Sequence, residues 1–429
     1  MSFPLVMRGV AASAAARAAS GGVANLTPPV VTWTGAVGSS PAITPGTWTG
    51  GPTLTYTLYR DGVPVTGAEG LTEAAAEAYD AVSADAAATN TVAPAVALTV
   101  LIGNTPAITP GTWTTPDLVW REIPNGSDPA GVDSNTINHT PTLTYDLQRN
   151  AVDVGGQTGK TEAQTESRAL DSNDIWPSLR WRERADGASP TATNVVFYAL
   201  SQHWRHVYDA ANASVSGGVV DFIDDTGSHG GINISAALTV RPAFNATDAG
   251  FNNQPSITFD GSNDQLANAD IDLNAALTSG QLFACMRIES ASAANSVWMS
   301  LQNGTDSLRL RQVGVDATAK PRFTSVSTAV NSDWTTVPGE GVEVLAGGRW
   351  DGSGPSQFVY NGSTQEDTDT AVETSINDPQ NISIGALGGG SAFANFTLAL
   401  AVVSCNAPAT AAEARTHLLA YCQNRFGVP

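Results

Sequence analysis

The string Pro41-Ala-Ile-Thr-Pro-Gly-Thr-Trp48-Thr occurs twice in this chain, letter for letter, the second time from Pro106 to Thr114. Identity over so long a string does not arise by chance, so part of the molecule must be built from two copies of one unit. The match continues with Pro52-Thr-Leu-Thr-Tyr56 against Pro141-Thr-Leu-Thr-Tyr145, then Arg60-Asp-Gly-Val against Arg149-Asn-Ala-Val. It runs on through Thr72-Glu-Ala-Ala-Ala-Glu77 against Thr161-Glu-Ala-Gln-Thr-Glu166, and each copy ends in Ala-Thr-Asn, at Asn90 and Asn194. The expected modules are therefore residues 26–90 and 91–194. Thr-Leu-Thr-Tyr alternates small polar and large apolar side chains, the mark of a strand with one buried face, and Asp61-Gly62 marks a hairpin turn. The second copy carries an extra segment, Thr115 to Thr140, where the first has only Gly50-Gly51. An insertion between intact strands is expected to project as a loop. The first copy in turn lacks the strand pair that Leu179-Arg-Trp-Arg-Glu-Arg184 brings to the second.

Composition sets the fold class. Only 14% of residues are charged, and 41 Gly with 24 Pro interrupt the chain at short intervals, so short strands rather than long helices are predicted and the chain reads as all-β. Forty acidic residues against twenty basic give a net charge of −20, which repels phosphate backbones and anionic lipid and excludes nucleic acid as a partner. Three cysteines, Cys285, Cys405 and Cys422, are too few to staple a chain of this size, and Cys405 and Cys422, which flank the expected terminal helix, are read as small buried hydrophobes rather than a bridge. No apolar run reaches the ~18 residues of a membrane span, and Arg8 and Arg17 interrupt the Ala-rich N-terminal stretch where a signal peptide needs an unbroken apolar centre. The expectation is a protein assembled in a host cytoplasm and released by lysis, with residues 1–25 as an anchoring or assembly segment.

From residue 195 onward the character changes. His206-Val-Tyr-Asp-Ala210, Val219-Val-Asp-Phe-Ile-Asp-Asp225 and Pro255-Ser-Ile-Thr-Phe-Asp-Gly261 read as strands, and Gly348-Arg-Trp350-Asp leads by a turn to Gln357-Phe-Val-Tyr-Asn361. Pro408, then Leu418, Tyr421, Cys422 and Phe426 at helical spacing before Gly427, predict a C-terminal helix. Val6, Val10 and Ala14 predict a short N-terminal one.

On these residues the repeated modules resemble the immunoglobulin-like repeats of bacterial surface and phage structural proteins. Residues 195–429 resemble the concanavalin A-like lectin and glucanase superfamily, of the laminin-G-like jelly-roll type. The resemblance implies two tandem immunoglobulin-like sandwiches followed by a jelly-roll sandwich, the layout of phage tail-fibre, baseplate or head-fibre proteins.

The glucanases of that superfamily carry paired carboxylates in a Glu-x-Asp-x-x-Glu strand, and this string is absent; Glu366-Asp-Thr-Asp369 lacks the third acid. No catalytic residue and no cofactor are expected. Of the histidines, His139, His203, His206, His229 and His417, only His203 and His206 are close in sequence, and they read as packing rather than a metal pair. Some laminin-G-like relatives hold calcium, so a structural ion would fall to Asp221, Asp224 and Asp225, or to Asp260, Asn263 and Asp264, hard oxygen ligands that are also ordinary turn formers. Trp350 reads as core, whereas Trp334, among polar neighbours in Asn331-Ser-Asp-Trp-Thr-Thr, is the candidate to stack on a sugar. The expected function is a non-enzymatic virion protein that binds host-surface polysaccharide through its C-terminal domain. Its expected partners are neighbouring virion proteins and copies of itself, most simply as a trimer. The alternatives are a capsid decoration or cement protein, or a bacterial surface adhesin.

Overall fold

Each Thr-Leu-Thr-Tyr string lies in the longest strand of its module, Leu54–Arg60 (β1) in the first, and the partner of β1 is Leu118–Pro124 (β2). In the second, Leu143–Arg149 (β3) pairs with Leu179–Ala185 (β4). The computed structural model describes residues 23–429 apart from 36–37, 81–87, 127–130, 187–189, 229–230, 238, 269–278, 290–295, 304–305, 314–319, 327–329, 336–337, 352–355, 363, 370–380, 388–389 and 406–410. The proposed anchoring segment and N-terminal helix lie outside the described residues but for its last three positions. The molecule is all-β, as expected, and among the described residues no helix is long and apolar enough to cross a membrane.

The pairing of β1 with β2 corrects the expected organisation. Residues 115–140 are not a loop on the second module; they close the first. β2 is antiparallel to β1 with Tyr56 opposite Glu122 and Leu58 opposite Trp120, and Val132–Asp133 extends the sheet beyond it. Without β2 the outer edge of β1 would be unpaired and its buried face uncovered. Leu118, Trp120 and Ile137 fill that space, in one cluster with Val31, Ile43, Tyr56 and Leu58. The signal was present in the chain, because Leu118-Val-Trp-Arg-Glu122 repeats Leu179-Arg-Trp-Arg-Glu183, each two residues after a proline. The modules are therefore not in simple tandem at 26–90 and 91–194. The chain lays down the first half of module one, the first half of module two (88–114), the second half of module one (115–140) and then the second half of module two (141–196), so the two are interleaved.

The repeated letters converge on a buried carboxylate. In module one the Gly46 N–H (3.0 Å), the Trp48 indole N–H and the Tyr56 hydroxyl (2.8 Å) all donate to Glu122. In module two the Gly111 N–H (3.1 Å), the Trp113 indole N–H (2.6 Å) and the Tyr145 hydroxyl (2.7 Å) donate to Glu183 in the same way. Both side chains are fully buried, and buried carboxyl oxygens are tolerated in an interior only when hydrogen-bond donors satisfy them. Burial first, and then the hydrogen bond to the carboxylate, push both tyrosines up out of the titrating range, which keeps them donors. The glycine is obligatory: a Cβ on Gly46 would lie 2.5 Å from the Thr27 carbonyl oxygen, and one on Gly111 2.6 Å from that of Val92. The Thr-Glu segments form one-turn helices, Glu73–Glu77 (α1) and Glu162–Glu166 (α2), each capped by its threonine. The last glutamate of each accepts a backbone N–H from the opposite strand, Ile43 to Glu77 (3.0 Å) and Ile108 to Glu166 (2.7 Å).

The C-terminal part is a two-layered sandwich opened by the hairpin His206–Ser216 (β5) and Val219–Asp225 (β6). One layer centres on Ser279–Ile288 (β7), flanked by Glu343–Asp351 (β8) and Asn395–Cys405 (β9). The expected hairpin follows β8, with Trp350 paired to Gln357, and Trp350 is core. Strands Val297–Asn303, Asp306–Val313 and Lys320–Val326 build the facing layer. Strand period two divides β7 between two cores: Leu282, Ala284 and Met286 point between the layers, while Phe283 and Cys285 point out of the sandwich.

That outer face is covered by Ala411–Phe426 (α3), the expected C-terminal helix, with Leu418, Tyr421, Cys422 and Phe426 buried. Gly427, at φ +73°, ends it by donating its N–H to the Gln423 carbonyl (3.1 Å). Pro408 lies outside the described residues. Cys422 is free and buried, as expected of a small hydrophobe, and Cys285, also free and buried, lies in the same core; the Cys405 side chain lies outside the described residues. Trp181, Tyr145 and Ile175 of module two belong to the same continuous core as Phe283, Leu418 and Tyr421, so α3 is held between sandwich and module.

Candidate functional site

The turn that leads into β4 is pinned by charge. The Asp174 carboxylate, wholly buried, accepts from Arg149 (2.7 Å), Arg168 (2.8 Å) and the Asp171 N–H (2.9 Å). The next residues, Ile175 and Trp176, face α3, where the Asn424 side-chain amide donates to the carbonyls of Ser172 (2.7 Å) and Ile175 (3.1 Å). Trp176 has φ +92°, a conformation costly for a bulky side chain and kept only where its surroundings fix it. Here they do so: the Arg425 guanidinium lies 4.6 Å above its ring, and Tyr421 meets it edge-on at 5.5 Å.

Arg425 is itself buried. It donates to both oxygens of Asp209 on β5 and to the Tyr421 hydroxyl. Burial alone would lower its pKa, but Asp209 and Tyr421 hold it above the ordinary value, so the guanidinium keeps its charge.

Between the turn 171–176, the linker 197–205 that leads into β5, β5 itself and α3 lies a cleft of about 260 Å³. Four aromatic side chains line it, Trp176, Phe197, Tyr198 and Tyr421, together with Ser201, Asp209, Asn212 and Thr226. Phe197 is 58% exposed, unusual for so large an apolar side chain. The Tyr198 hydroxyl is buried with no hydrogen-bond partner among the described residues. Flat apolar faces beside a few hydrogen-bonding groups are what a pyranose needs, since its C–H face stacks and its hydroxyls bond.

Trp334 is not in this cleft, nor on the surface. It is 0% exposed and packs between the two layers. Its polar neighbours misled because strand parity, not local composition, decides direction: Ser332 and Trp334 point inward. Asn331 and Asp333 instead pair with Arg311 (2.8 Å) and Arg322 (2.7 Å).

The proposed calcium ligands do not converge. Asp221 pairs with Arg241 (2.8 Å), and Asp224 accepts from Asn233 (2.8 Å). Asp225 accepts from His206 (2.7 Å) and from the N–H groups of Val207 and Gly227. Burial would raise the Asp225 carboxyl, yet these bonds outweigh it and hold it below the usual carboxylate range. These residues do not fit a calcium site, because each faces a different partner and, among the described residues, their oxygens do not gather closely enough to share one ion. Asp260 and Asp264 accept backbone N–H groups within their own turn. Glu366 accepts from the Thr335 hydroxyl. His206 bonds to Asp225, whereas His203 stacks on His417, centroids 5.1 Å apart. Burial holds both of those imidazoles below the ordinary histidine value.

The cleft residues escaped sequence reading because Tyr421 and Arg425 are far along the chain from Trp176. A local signal did exist in Asp174-Ile-Trp-Pro177 and Phe197-Tyr198, aromatics clustered at a domain junction.

No family model and no curated protein matches the chain. Among solved structures it is similar to the botulinum neurotoxin type G receptor binding domain, at 8% identity over 50% of this chain and 51% of that one, TM-score 0.35. It is similar to Trypanosoma rangeli sialidase in complex with sialic acid, at 12% identity over 76% of this chain and 52% of that one, TM-score 0.36. The heptameric SAP-like pentraxin of Limulus polyphemus aligns at 18% identity over 38% of this chain and 79% of that one, TM-score 0.29. The chain thus spans about half the length of the first of these. Likeness at this level says nothing of ligand.

Proposed function

We propose that the protein is a non-enzymatic, particle-borne recognition protein that binds host-surface polysaccharide in the cleft between module two and the sandwich. The observation that carries this reading is the set of four aromatic side chains around one cleft, with Trp176 held at a costly φ beside the unpartnered Tyr198 hydroxyl. Binding rather than hydrolysis is supported by the carboxylates. Glycoside hydrolysis asks for two acidic groups across the scissile bond, and the cleft offers Asp209, both of whose oxygens are engaged by Arg425. The repeats, which resemble immunoglobulin-like modules of phage fibres, support a place on a virion tail, baseplate or head fibre, reached by assembly in the host and release by lysis.

On this reading residues 1–25 attach the chain to a neighbouring virion protein, and copies assemble, most simply as a trimer, so that several weak clefts act together. Affinity of the purified full-length chain for host-surface polysaccharide, measured by calorimetry, is expected to fall by about 1–3 kcal/mol in Trp176→Ala, by analogy with aromatic anchors of other interfaces. Undiminished affinity in a variant that keeps its circular dichroism would remove the cleft from the reading. Light scattering tests the assembly, and immunogold labelling of intact particles tests the location.

A further inference from the structure

A second cluster of side chains packs against Tyr198, whose ring centroid lies 5.5 Å from that of His417 and 6.3 Å from that of His203. His203, at the end of the turn Leu200–Gln202, meets Glu413 and His417 of α3, and one ligating atom from each lies within 4.8 Å of the others. Glu413 and His417 are four residues apart on the helix and so share a face, with Glu413 Oε1 3.8 Å from His417 Nε2. His417 is 1% exposed, and its Nδ1 has no hydrogen-bond partner among the described residues; the buried Nε2 of His203 has none either. Buried ring nitrogens normally find a partner, because leaving one bare forfeits its hydration for nothing. The His203 Nε2 is bare and the His417 Nε2 faces the Glu413 carboxylate, on stacked imidazoles whose centroids lie 5.1 Å apart and whose planes are 18° from parallel, so donors gather here that packing does not use.

We infer that His203, Glu413 and His417 form a binding site for a divalent transition-metal ion of the zinc class. Two imidazoles and a carboxylate are the donor set such ions take, whereas calcium asks for oxygen alone. Tetrahedral coordination at metal–nitrogen distances of ~2.0–2.1 Å sets donors about 3.4 Å apart, so the three side chains close on the ion by rotamer adjustment. Glu413, whose side chain is 45% exposed, gives the ion its path from solvent and leaves room for a water as fourth ligand. The ion would tie the linker into the sandwich to α3, the helix that also holds module two. It requires nothing of the glycan reading and stands if that fails.

The test is titration of chelator-stripped, full-length protein with Zn²⁺ by calorimetry, and with Co²⁺ by visible absorption. One ion per chain is expected, with the intense absorption of a four-coordinate cobalt site and a rise in melting temperature on adding Zn²⁺. His417→Gln and Glu413→Gln should each weaken binding by roughly 10- to 100-fold. Glu413 is at the surface, so Glu413→Gln keeps the fold, and a loss of affinity there reports on ligation. Failure to bind Zn²⁺ stoichiometrically, or binding that is unchanged in Glu413→Gln and in His203→Gln, overturns the site.

Discussion

Module one and module two are built on the same plan, with Glu122 and Glu183 at corresponding hubs, yet among the described residues the core of the second alone continues into the sandwich. The core of module one closes on itself around Trp120, Tyr56 and Leu58. That of module two runs without a break from Tyr145 and Trp181 through Ile175 to Tyr421 and Phe283. The repeat therefore specifies a self-sufficient unit, and the docking is added outside it. It comes from the charge-pinned turn 171–176, which hands Ile175 and Trp176 to α3. In module one the three residues before β2 are Thr115-Pro-Asp117, and none of them carries an aromatic side chain toward α3. A generic module becomes part of a specific cleft through six residues between repeated strands.

The largest expected effect breaks module one alone. Shortening 115–140 to the Gly-Gly of the first copy removes Leu118, Trp120 and Ile137 from its core, and truncating one buried Trp already costs ~3–5 kcal/mol. Amide exchange should show protection lost along Leu54–Arg60 but kept along Leu143–Arg149 and in the sandwich. Protection retained in Leu54–Arg60 would refute the interleaving.

Smaller, and sharper as a comparison, is the pair Glu122→Ala and Glu183→Ala. Each strands a half-buried indole N–H, a buried tyrosine hydroxyl and a glycine N–H, at about 3–5 kcal/mol by analogy with broken buried ion pairs. Calorimetry should find that Glu122→Ala lowers the unfolding temperature of module one only. Glu183→Ala should also lower that of the sandwich, because the core of module two is shared. Equal reach of the two variants would mean that the shared core is not energetically coupled.

What could be read from the chain follows range. The halves of the repeat, the hairpin after Trp350 and the terminal helix are all local, set by periodicity, turn residues and caps within a few residues. The Glu122 hub was half legible: Gly46, Trp48 and Tyr56 lie within one repeat, but the carboxylate they serve sits beyond the first half of the other module. Only the recurrence of Trp-Arg-Glu at 120–122 and 181–183 could have linked them. Trp334 was misjudged because hydropathy averages over a strand whose alternate residues face opposite ways. Trp176 with Tyr421, and His203 with His417, are joined only by the docking of α3, which no local pattern announces.

The smallest expected effect is one of pH. Thr57 in module one and Asp146 in module two hold corresponding positions, each accepting the N–H of a turn glycine, Gly70 (3.1 Å) and Gly159 (2.9 Å). Asp146 differs in carrying charge. Burial would raise its carboxyl, but hydrogen bonds from Arg184 and the Gly159 N–H, with the charges of Arg184 and Arg182, hold it below the ordinary value. A carboxyl depressed on folding adds stability that is fully present above its unfolded pKa of ~3.9 and is lost as pH falls through the lower folded value. Module two should therefore lose stability to this group on acidification below about pH 4, while Thr57, which does not ionise, gives module one no such term. Substituting Asp146→Thr should flatten that part of the acid unfolding curve of module two and leave module one unchanged, as followed by amide exchange at several pH values. An acid limb that stays as steep in Asp146→Thr would assign the sensitivity to other carboxylates, and the chemistry of this one position would no longer separate the modules.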